Sequence, residues 1–421
     1  ITCWNLEGNS IRSEGMKLIC DALRTNPSIT LMRLGATKIK EEGLTSLAEL
    51  LRCTSTRTSL KLNTNALLSN EAFIAALHTT SSLTSLKLVK GDISEEAMEI
   101  IAKVIRGNTT ITSLALEGNQ IQRGCIQQLA KALSGNSTIT SLSLGHTLLG
   151  EEGLASLVAA FRVNSTLRSL NLERNILGDD GVELFAGVLR VNSVITSLNL
   201  KGNNIEDEGI KILAEVLQGN SSLTSLNLGV NNIGDEGVQF LSKVLQGNST
   251  ISTLNIGVNA FGVGGMRVLA ETLCANSSIT SFGCANSCGD EGLKAVADAL
   301  TFSSSLTRLK VGRLWEESGK KILQQAGKRS YSVVSSNFLG RREYSRNYCL
   351  ASRKSATPDG WNFEEGEFIQ WTTTYQPLKI PASIVYKIQK VILQGCHLKN
   401  IPASVIALPS LLTLDLGFVA L

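Results

Sequence analysis

The sequence predicts an α/β solenoid, in which strand-and-helix units stack into a right-handed β-α superhelix with a parallel inner sheet and outer helices. Three observations predict this class. A short Leu-x-Leu pattern recurs at a fixed spacing along most of the 421 residues, an amphipathic segment follows each recurrence, and an asparagine recurs between the two. A period of this size marks a stack of similar supersecondary units.

The Leu-x-Leu pattern has twelve starts, and nine of the eleven steps between them are 28 residues long. The starts are Trp4, Met32, Leu60, Leu86, Leu114, Leu142, Leu170, Leu198, Leu226, Leu254, Phe282 and Leu309. One unit cannot bury its apolar face alone, so repetition is how this chain acquires a core.

Each unit is predicted to contain a strand and then a helix. In TSLNLGVN (224–231) apolar and polar residues alternate, which indicates a strand with Leu226 and Leu228 on one face. The following GDEGVQFLSKVLQGN (234–248) has helical spacing, acidic residues at its start and glycine near its end. Strands stack about 4.8 Å apart while helix axes need about 8–10 Å, so the stack should bend into a horseshoe with the strands inside.

A polar residue recurs between strand and helix. Its side chain is predicted to hydrogen-bond backbone groups of the turn and to form an internal polar ladder. The series is Asn9, Thr37, Asn65, Gly91, Asn119, Thr147, Asn175, Asn203, Asn231 and Asn259.

The whole motif, as in LTSLNLGVNNIGDEGVQFLSKVL (223–245), resembles the long leucine-rich repeat of the ribonuclease-inhibitor class. Related repeats occur in the recognition region of NOD-like receptors and in Ran GTPase-activating proteins. The resemblance covers about residues 1 to 312 and implies a horseshoe that binds another protein. It identifies an architecture rather than a function, since sites are grafted on folds.

The long period disappears in the last part of the chain. We predict long repeats with an end cap over 1–327, a basic connector over 328–375, and short repeats over 376–421. Ile380-Pro381 recurs as Ile401-Pro402, and Val391 recurs as Leu414. These short units resemble the Ile-Pro leucine-rich repeats of Roco-type GTPases and leucine-rich-repeat kinases. We expect further short repeats and an effector domain beyond them.

The connector carries seven basic residues and one acidic residue between 328 and 354, interleaved with aromatic residues. Such a segment could bind an anionic partner or nucleic acid, or it could be a solvated linker. The linker interpretation is favoured because no recognised nucleic-acid-binding motif surrounds the segment.

Few residues point to chemistry. The three histidines are far apart in sequence, which argues against a catalytic constellation. The nine cysteines are not clustered, which argues against a metal site and favours a reducing, cytoplasmic compartment. Asn-x-Ser/Thr sites recur with the repeat at Asn108, Asn136, Asn164, Asn220 and Asn248, and GVGGM (262–266) replaces the usual GDEG, so both are interpreted as features of the repeat. No membrane segment, cofactor or enzyme activity is predicted.

The favoured function is a protein-binding scaffold, the sensing or partner-recognition region of a larger signalling protein. Innate immunity is one setting that the resemblance implies. The alternative is a GTPase-activating protein of the Ran-activating type. Against it, the acidic tail expected of that family is absent from these residues, and a GTP-hydrolysis assay would separate the two.

Side chains that the alternation directs away from the core predict the docking face. The basic first half should receive an acidic protein surface, and the second half should add apolar contact. A merely solvated basic surface is the alternative. The predicted docking residues are Arg33, Lys61, Lys87, Lys90, His146, Arg174, Lys201, Asn227, Val230 and Val258.

Overall fold

The computed structural model describes residues 2–311 except 27, 36, 38, 57, 64–69, 90 and 285–288, together with four short strands farther along the chain. Predictions that fall elsewhere lie outside the described residues. These include the end cap expected before residue 328 and most of the basic connector and short repeats.

Strands and helices alternate as predicted. The strands are β1 (Cys3–Asn5), β2 (Leu31–Arg33), β3 (Ser59–Asn63), β4 (Ser85–Val89), β5 (Asp92–Ile93), β6 (Ser113–Ala115), β7 (Gln120–Ile121), β8 (Ser141–Ser143), β9 (Ser169–Asn171), β10 (Ser197–Asn199), β11 (Ser225–Asn227), β12 (Thr253–Asn255), β13 (Ser281–Cys284), β14 (Arg308–Val311), β15 (Ser332–Ser335), β16 (Phe368–Gln370), β17 (Lys390–Ile392) and β18 (Thr413–Asp415). The helices are α1 (Arg12–Arg24), α2 (Glu41–Cys53), α3 (Glu71–Thr79), α4 (Glu95–Gly107), α5 (Arg123–Ser134), α6 (Gly150–Val163), α7 (Gly178–Leu189), α8 (Asp207–Leu217), α9 (Asp235–Leu245), α10 (Val263–Ala275) and α11 (Gly289–Phe302).

The chain divides into two compact units. Unit one comprises Ile1–Ala115 and Glu343–Leu421. Its sheet has the order β6-β4-β3-β2-β1-β18-β17-β16, and every pair is parallel. The strands β16, β17 and β18 begin 22 and 23 residues apart, which agrees with the short period found in the sequence and adds an earlier strand at 368–370.

Unit two comprises Leu116–Arg342, and its strands β8 to β15 pair in chain order, all parallel. Equivalent positions of successive repeats face each other, so that Leu198 pairs with Leu170 on one side and Leu226 on the other. This alternation of strands and helices with parallel pairing confirms the predicted α/β solenoid class.

The core lies between the sheet and the helices. Both apolar residues of each Leu-x-Leu pattern are buried in most repeats, as Leu226 and Leu228 show at 0% exposure. The helices bury one face each, for example Val238, Leu241 and Leu245 of α9. Consecutive helices pack side by side, α1 to α4 in unit one and α5 to α11 in unit two.

The predicted polar ladder between strand and helix is present. The Nδ2 atom of Asn203 donates to the Leu172 carbonyl at 2.9 Å, and its Oδ1 accepts the Asn175 N–H at 2.8 Å. The Asn203 N–H in turn donates to Asn231 Oδ1 at 2.8 Å. Asn203 and Asn231 are both buried. Each rung therefore satisfies backbone groups of the preceding repeat as well as its own turn.

A second asparagine ladder lies at the opposite edge, where each helix ends. Asn164 donates from Nδ2 to the Leu133 and Asn136 carbonyls at 3.0 and 3.1 Å, and its Oδ1 accepts the Leu167 N–H at 2.8 Å. The other asparagines of this series are Asn108, Asn136, Asn192, Asn220, Asn248 and Asn276. Six of the seven, all except Asn192, belong to Asn-x-Ser/Thr sites, so their amides are internal repeat contacts, as the sequence interpretation proposed.

The aspartates that begin α8 and α9 reach forward to the next repeat. Asp207 Oδ1 accepts the Gly234 N–H at 2.6 Å, and Asp235 Oδ1 accepts the Gly262 and Gly265 N–H groups, both at 2.9 Å. The GVGG segment is therefore a carboxylate-binding turn filled by the preceding repeat. The sequence interpretation of these acids as helix-start charges omitted this second contact.

Candidate functional site

The exposed strand positions of unit one place three predicted docking residues in a row. Arg33 on β2 pairs in register with Lys61 on β3, and Lys61 pairs with Lys87 on β4. Arg33 is exposed, and the two lysines are half-buried. The fourth predicted cation of this group, Lys90, lies outside the described residues.

One carboxylate, that of Glu7, lies next to this basic row and offsets part of its charge. Glu7 follows β1 and lies beside Gly35, where a Cβ atom would come within 3.2 Å of its Oε1. The same Oε1 lies 2.6 Å from Lys61 Nζ, an ion pair by distance that is not aligned as a hydrogen bond. The Glu7 side chain therefore crosses one repeat to reach a cation in the next, a contact that strand alternation does not predict.

Four of the predicted docking residues in unit two share one turn position just before the internal ladder. His146, Arg174, Val230 and Val258 have φ values of 56°, 54°, 59° and 61°. In other repeats the same position is Gly118 or Gly202, each with φ of 70°. The left-handed conformation costs a non-glycine residue about 1–2 kcal/mol, most clearly a β-branched one. These side chains are therefore held at the turn in spite of local strain.

The repeat imposes this conformation through backbone bonds. The N–H groups of three of these turn residues donate to a carbonyl of the next repeat, His146 to Glu173 at 2.8 Å, Arg174 to Lys201 at 2.8 Å and Val230 to Gly257 at 2.9 Å. Because this bond fixes the backbone, the side chain at the turn can vary. Val230 and Val258 are half-buried there, whereas His146 is exposed.

A mixed charge cluster surrounds the turn of the seventh repeat. Lys201 Nζ lies 2.9 Å from Glu173 Oε1, and Arg174 Nε lies 3.9 Å from the same oxygen. The Arg174 side chain extends across Gly202 of the next repeat, where a Cβ atom would come within 2.7 Å of its Cγ. The structure thus brings together two of the predicted cations around one carboxylate.

The exposed strand positions of unit two are amide-rich. Asn227 accepts its own Gly229 N–H at Oδ1 at 3.1 Å, and Asn255 accepts the Gly257 N–H at 3.2 Å. Sequence reasoning placed Asn227 on this face but missed this local bond. It also missed Glu117, whose Oε1 accepts from Ser143 Oγ at 2.6 Å.

A family model described as Leucine Rich repeat matches residues 1–20, 107–123, 163–186, 191–214 and 219–242. These matched segments are leucine-rich repeats. No curated protein matches it.

Several solved structures are similar to these leucine-rich repeats at low identity. "Leiomodin-1 Actin-Binding Site 2 (ABS2)" is 19% identical with a TM-score of 0.32, over 41% of this chain and 94% of that one. The Rad7 and Elc1 complex in yeast is 15% identical with a TM-score of 0.44, over 76% and 88%. An internalin (inlF) from Listeria monocytogenes is 18% identical with a TM-score of 0.38, over 79% and 87%.

The described leucine-rich repeats bring together no group of three or more His, Cys, Asp or Glu side chains that could hold a metal ion. Within the same residues, no helix has the length and apolar character needed to cross a membrane. A leucine-rich repeat stack of this kind is typically a non-catalytic binding scaffold, and no catalytic family is indicated.

One titratable group beside the charge cluster, His146, has a shifted pKa. His146 is exposed as a residue, but its ring is partly desolvated by the surrounding turn. This partial desolvation, followed by the positive charge of Arg174 and a smaller effect of Lys201, lowers the pKa of His146 against the opposing charges of Glu173 and Glu117. The unfolded chain therefore takes up this proton first, at a pH near 6.5. We expect stability contributed by neutral His146 to be present above that pH and lost as the pH falls toward the lower folded pKa.

The measurement is the urea midpoint of the protein and of His146→Asn at a pH of about 7.5 and of about 5.5. Asparagine tolerates the left-handed turn and does not titrate. Stability should fall more in the unsubstituted protein than in the variant. Equal losses in both would show that His146 contributes nothing to the pH dependence.

Proposed function

We propose that this chain is the partner-recognition region of a larger intracellular signalling protein, and that an acidic protein surface docks on the exposed strand positions of its leucine-rich repeats. The observation that carries the proposal is the row of Arg33, Lys61 and Lys87, which face one another on three neighbouring strands. Leucine-rich repeats themselves imply a protein-binding scaffold.

The row has a surplus of positive charge. Neighbouring strands lie about 4.8 Å apart, so like charges at matched positions repel one another. Glu7 lies 2.6 Å from Lys61, so one carboxylate stands beside the three basic residues of the row. An acidic partner surface relieves that repulsion and is steered toward the strands before contact.

The second unit supplies apolar contact. Val230 and Val258 occupy left-handed turns and are half-buried. Covering such side chains recovers about 25 cal/mol for each Å² of apolar area. In protein complexes, charge sets the rate and orientation of docking, while apolar burial sets much of the lifetime.

The test is a comparison of partners retained by two charge-reversed proteins. Lys61→Glu with Lys87→Glu alters the strand row, and Lys17→Glu with Lys103→Glu makes the same change in net charge on the helices α1 and α4. Partners of the proposed surface should be lost by the strand variant and kept by the helix variant. For a purified partner, the strand variant should associate at least about tenfold more slowly and with a weaker salt dependence.

The loss of partners and the slower association should both depend on where the charges are reversed, and not on the net charge of the protein. If the two variants lose the same partners, the effect is one of net charge and the strand row is not the docking surface. If the strand variant keeps every partner with unchanged association rates, the proposal is wrong.

A further inference from the structure

Two neighbouring repeats of unit two, residues 141–168 and 169–196, depart from the others at both of their loop edges. The chain enters each strand from one edge and leaves it at the other, so the two departures lie on opposite sides of the same repeats. Each departure places large aliphatic side chains in solvent, which globular proteins rarely do in contiguous pairs without a binding role.

The edge at which the helices end carries arginine and valine. We name it the arginine edge, and it consists of Arg162, Val163, Arg168, Arg190 and Val191. The two valines are 66% and 64% exposed. The valine position is glycine in flanking repeats, at Gly135, Gly219 and Gly247, and the Arg168 position is threonine in the repeats on either side, at Thr140 and Thr196.

The arginine edge is contiguous. Asn192 Nδ2 donates to the Phe161 carbonyl at 2.8 Å, and the Thr196 N–H donates to the Arg168 carbonyl at 2.8 Å, so the two loops lie directly against each other. The Arg162 guanidinium rests on α7 at Gly187, where a Cβ atom would come within 2.6 Å of its Nη2. Among the described residues, none of the three arginines forms an ion pair.

The opposite edge, where the helices begin, carries aliphatic and acidic side chains. We name it the acidic edge, and it consists of Leu148, Glu151, Glu152, Ile176, Asp179 and Asp180. Leu148 and Ile176 are 56% and 60% exposed. Arg123 lies 3.0 Å from Glu152, so the four carboxylates and this one cation leave a net charge of −3.

The two aliphatic residues of the acidic edge are also strained. Leu148 and Ile176 have φ values of 54° and 55°, while the following repeat has Asn204 in this position with φ of 58°. Asparagine adopts this conformation readily, and a β-branched residue does so at a cost of about 1 kcal/mol or more. Neither exposure nor backbone preference accounts for these two residues, whereas contact with a partner does.

The two edges complement each other. One presents an aliphatic pair among three arginines, and the other presents an aliphatic pair with a net charge of −3. We propose that the partner of each edge is the other edge of a second copy of this chain. An outside partner would need only one such edge, while both occur on the same two repeats with opposite charge. The two surfaces differ, so the contact is heterologous and each copy keeps one free edge for a further copy.

Substitutions borrowed from neighbouring repeats test the contact without disturbing the fold. Val163→Gly with Val191→Gly gives the arginine edge the residue of Gly135 and Gly219. Leu148→Asn with Ile176→Asn gives the acidic edge the residue of Asn204. The asparagine variant should unfold at the same urea concentration as the unsubstituted protein or a higher one, because it relieves the strained turns.

Sedimentation velocity over about a hundredfold range of protein concentration measures the self-association of each protein. The unsubstituted chain, of 45.1 kDa, should grow beyond a dimer with concentration and should dissociate at high salt. Each variant alone should associate at least about tenfold more weakly. An equimolar mixture of the two variants should form a 1:1 pair and stop there, since one intact edge from each copy remains.

Three results would overturn the proposal. The unsubstituted chain could stay at 45.1 kDa throughout, which would leave the edges to other partners. Either variant could associate as strongly as the unsubstituted chain, which would place the contact elsewhere. The mixture could fail to pair, which would show that the two edges do not bind each other.

Discussion

Replacing Asn203 by alanine should lower the free energy of unfolding by about 3 kcal/mol. The substitution removes the acceptor of the Asn175 N–H and the donor to the Leu172 carbonyl. Asn203 is 0% exposed, so water is not positioned to replace either partner. Each orphaned buried group costs about 1–3 kcal/mol.

The matched control is Asn232→Ala in the following repeat. Asn232 is exposed, so its loss should change stability by less than about 0.5 kcal/mol. Urea unfolding monitored by circular dichroism measures both variants. A cost for Asn203→Ala no larger than that of Asn232→Ala would mean that the ladder does not stabilise the stack.

The second large effect concerns the glycine that closes the GDEG motif. Gly237→Ala should cost about 2 kcal/mol, because the new Cβ atom would collide with Asp207 Oδ1 and lie 2.9 Å from Ile233 Cγ2. Asp207 cannot move aside freely, since the same oxygen accepts the Gly234 N–H at 2.6 Å. The penalty therefore comes from the contact between two repeats and not from helix propensity.

A double-mutant cycle separates these causes. In an Asp207→Ala background the penalty of Gly237→Ala should shrink by about 1 kcal/mol, because the colliding oxygen is gone. Gly219→Ala is the control, since a Cβ atom there meets nothing within 4 Å. Additive penalties in the cycle would refute the proposed collision.

The fold could be predicted because one 28-residue period carries the same pattern many times. Alternation assigned the strands and their buried leucines, and recurrence located the internal ladder that includes Asn203 and Asn231. Repetition makes each assignment independent of any one residue. It also allowed the sequence to indicate the short repeats, although a strand at 368–370 went unrecognised.

The contacts between repeats could not be predicted in the same way. The period shows which residues are equivalent, but it does not show which atoms of the neighbouring repeats a side chain can contact. Asp207 bonds to the next repeat, and Glu7 reaches Lys61 across an intervening strand. The strained turns were also missed, because the left-handed backbone at Ile176 is imposed by hydrogen bonding within the stack and opposes the preference of the residue.

In the candidate site too, the repeat period accounts for the positions of residues but not for their contacts. Arg33, Lys61 and Lys87 occupy matched positions of neighbouring strands because strand register follows from the repeat. Whether a partner uses that face remains a prediction.

The most direct measurement of the docking proposal is a lysine acetylation footprint of the chain with and without a bound partner. Lys61 and Lys87 report on the strand row, and Lys17 and Lys103 report on the helices α1 and α4. We predict that the partner protects the two strand lysines and leaves the two helix lysines as reactive as in the free chain. Protection of the helix lysines with unchanged reactivity at Lys61 and Lys87 would contradict the account.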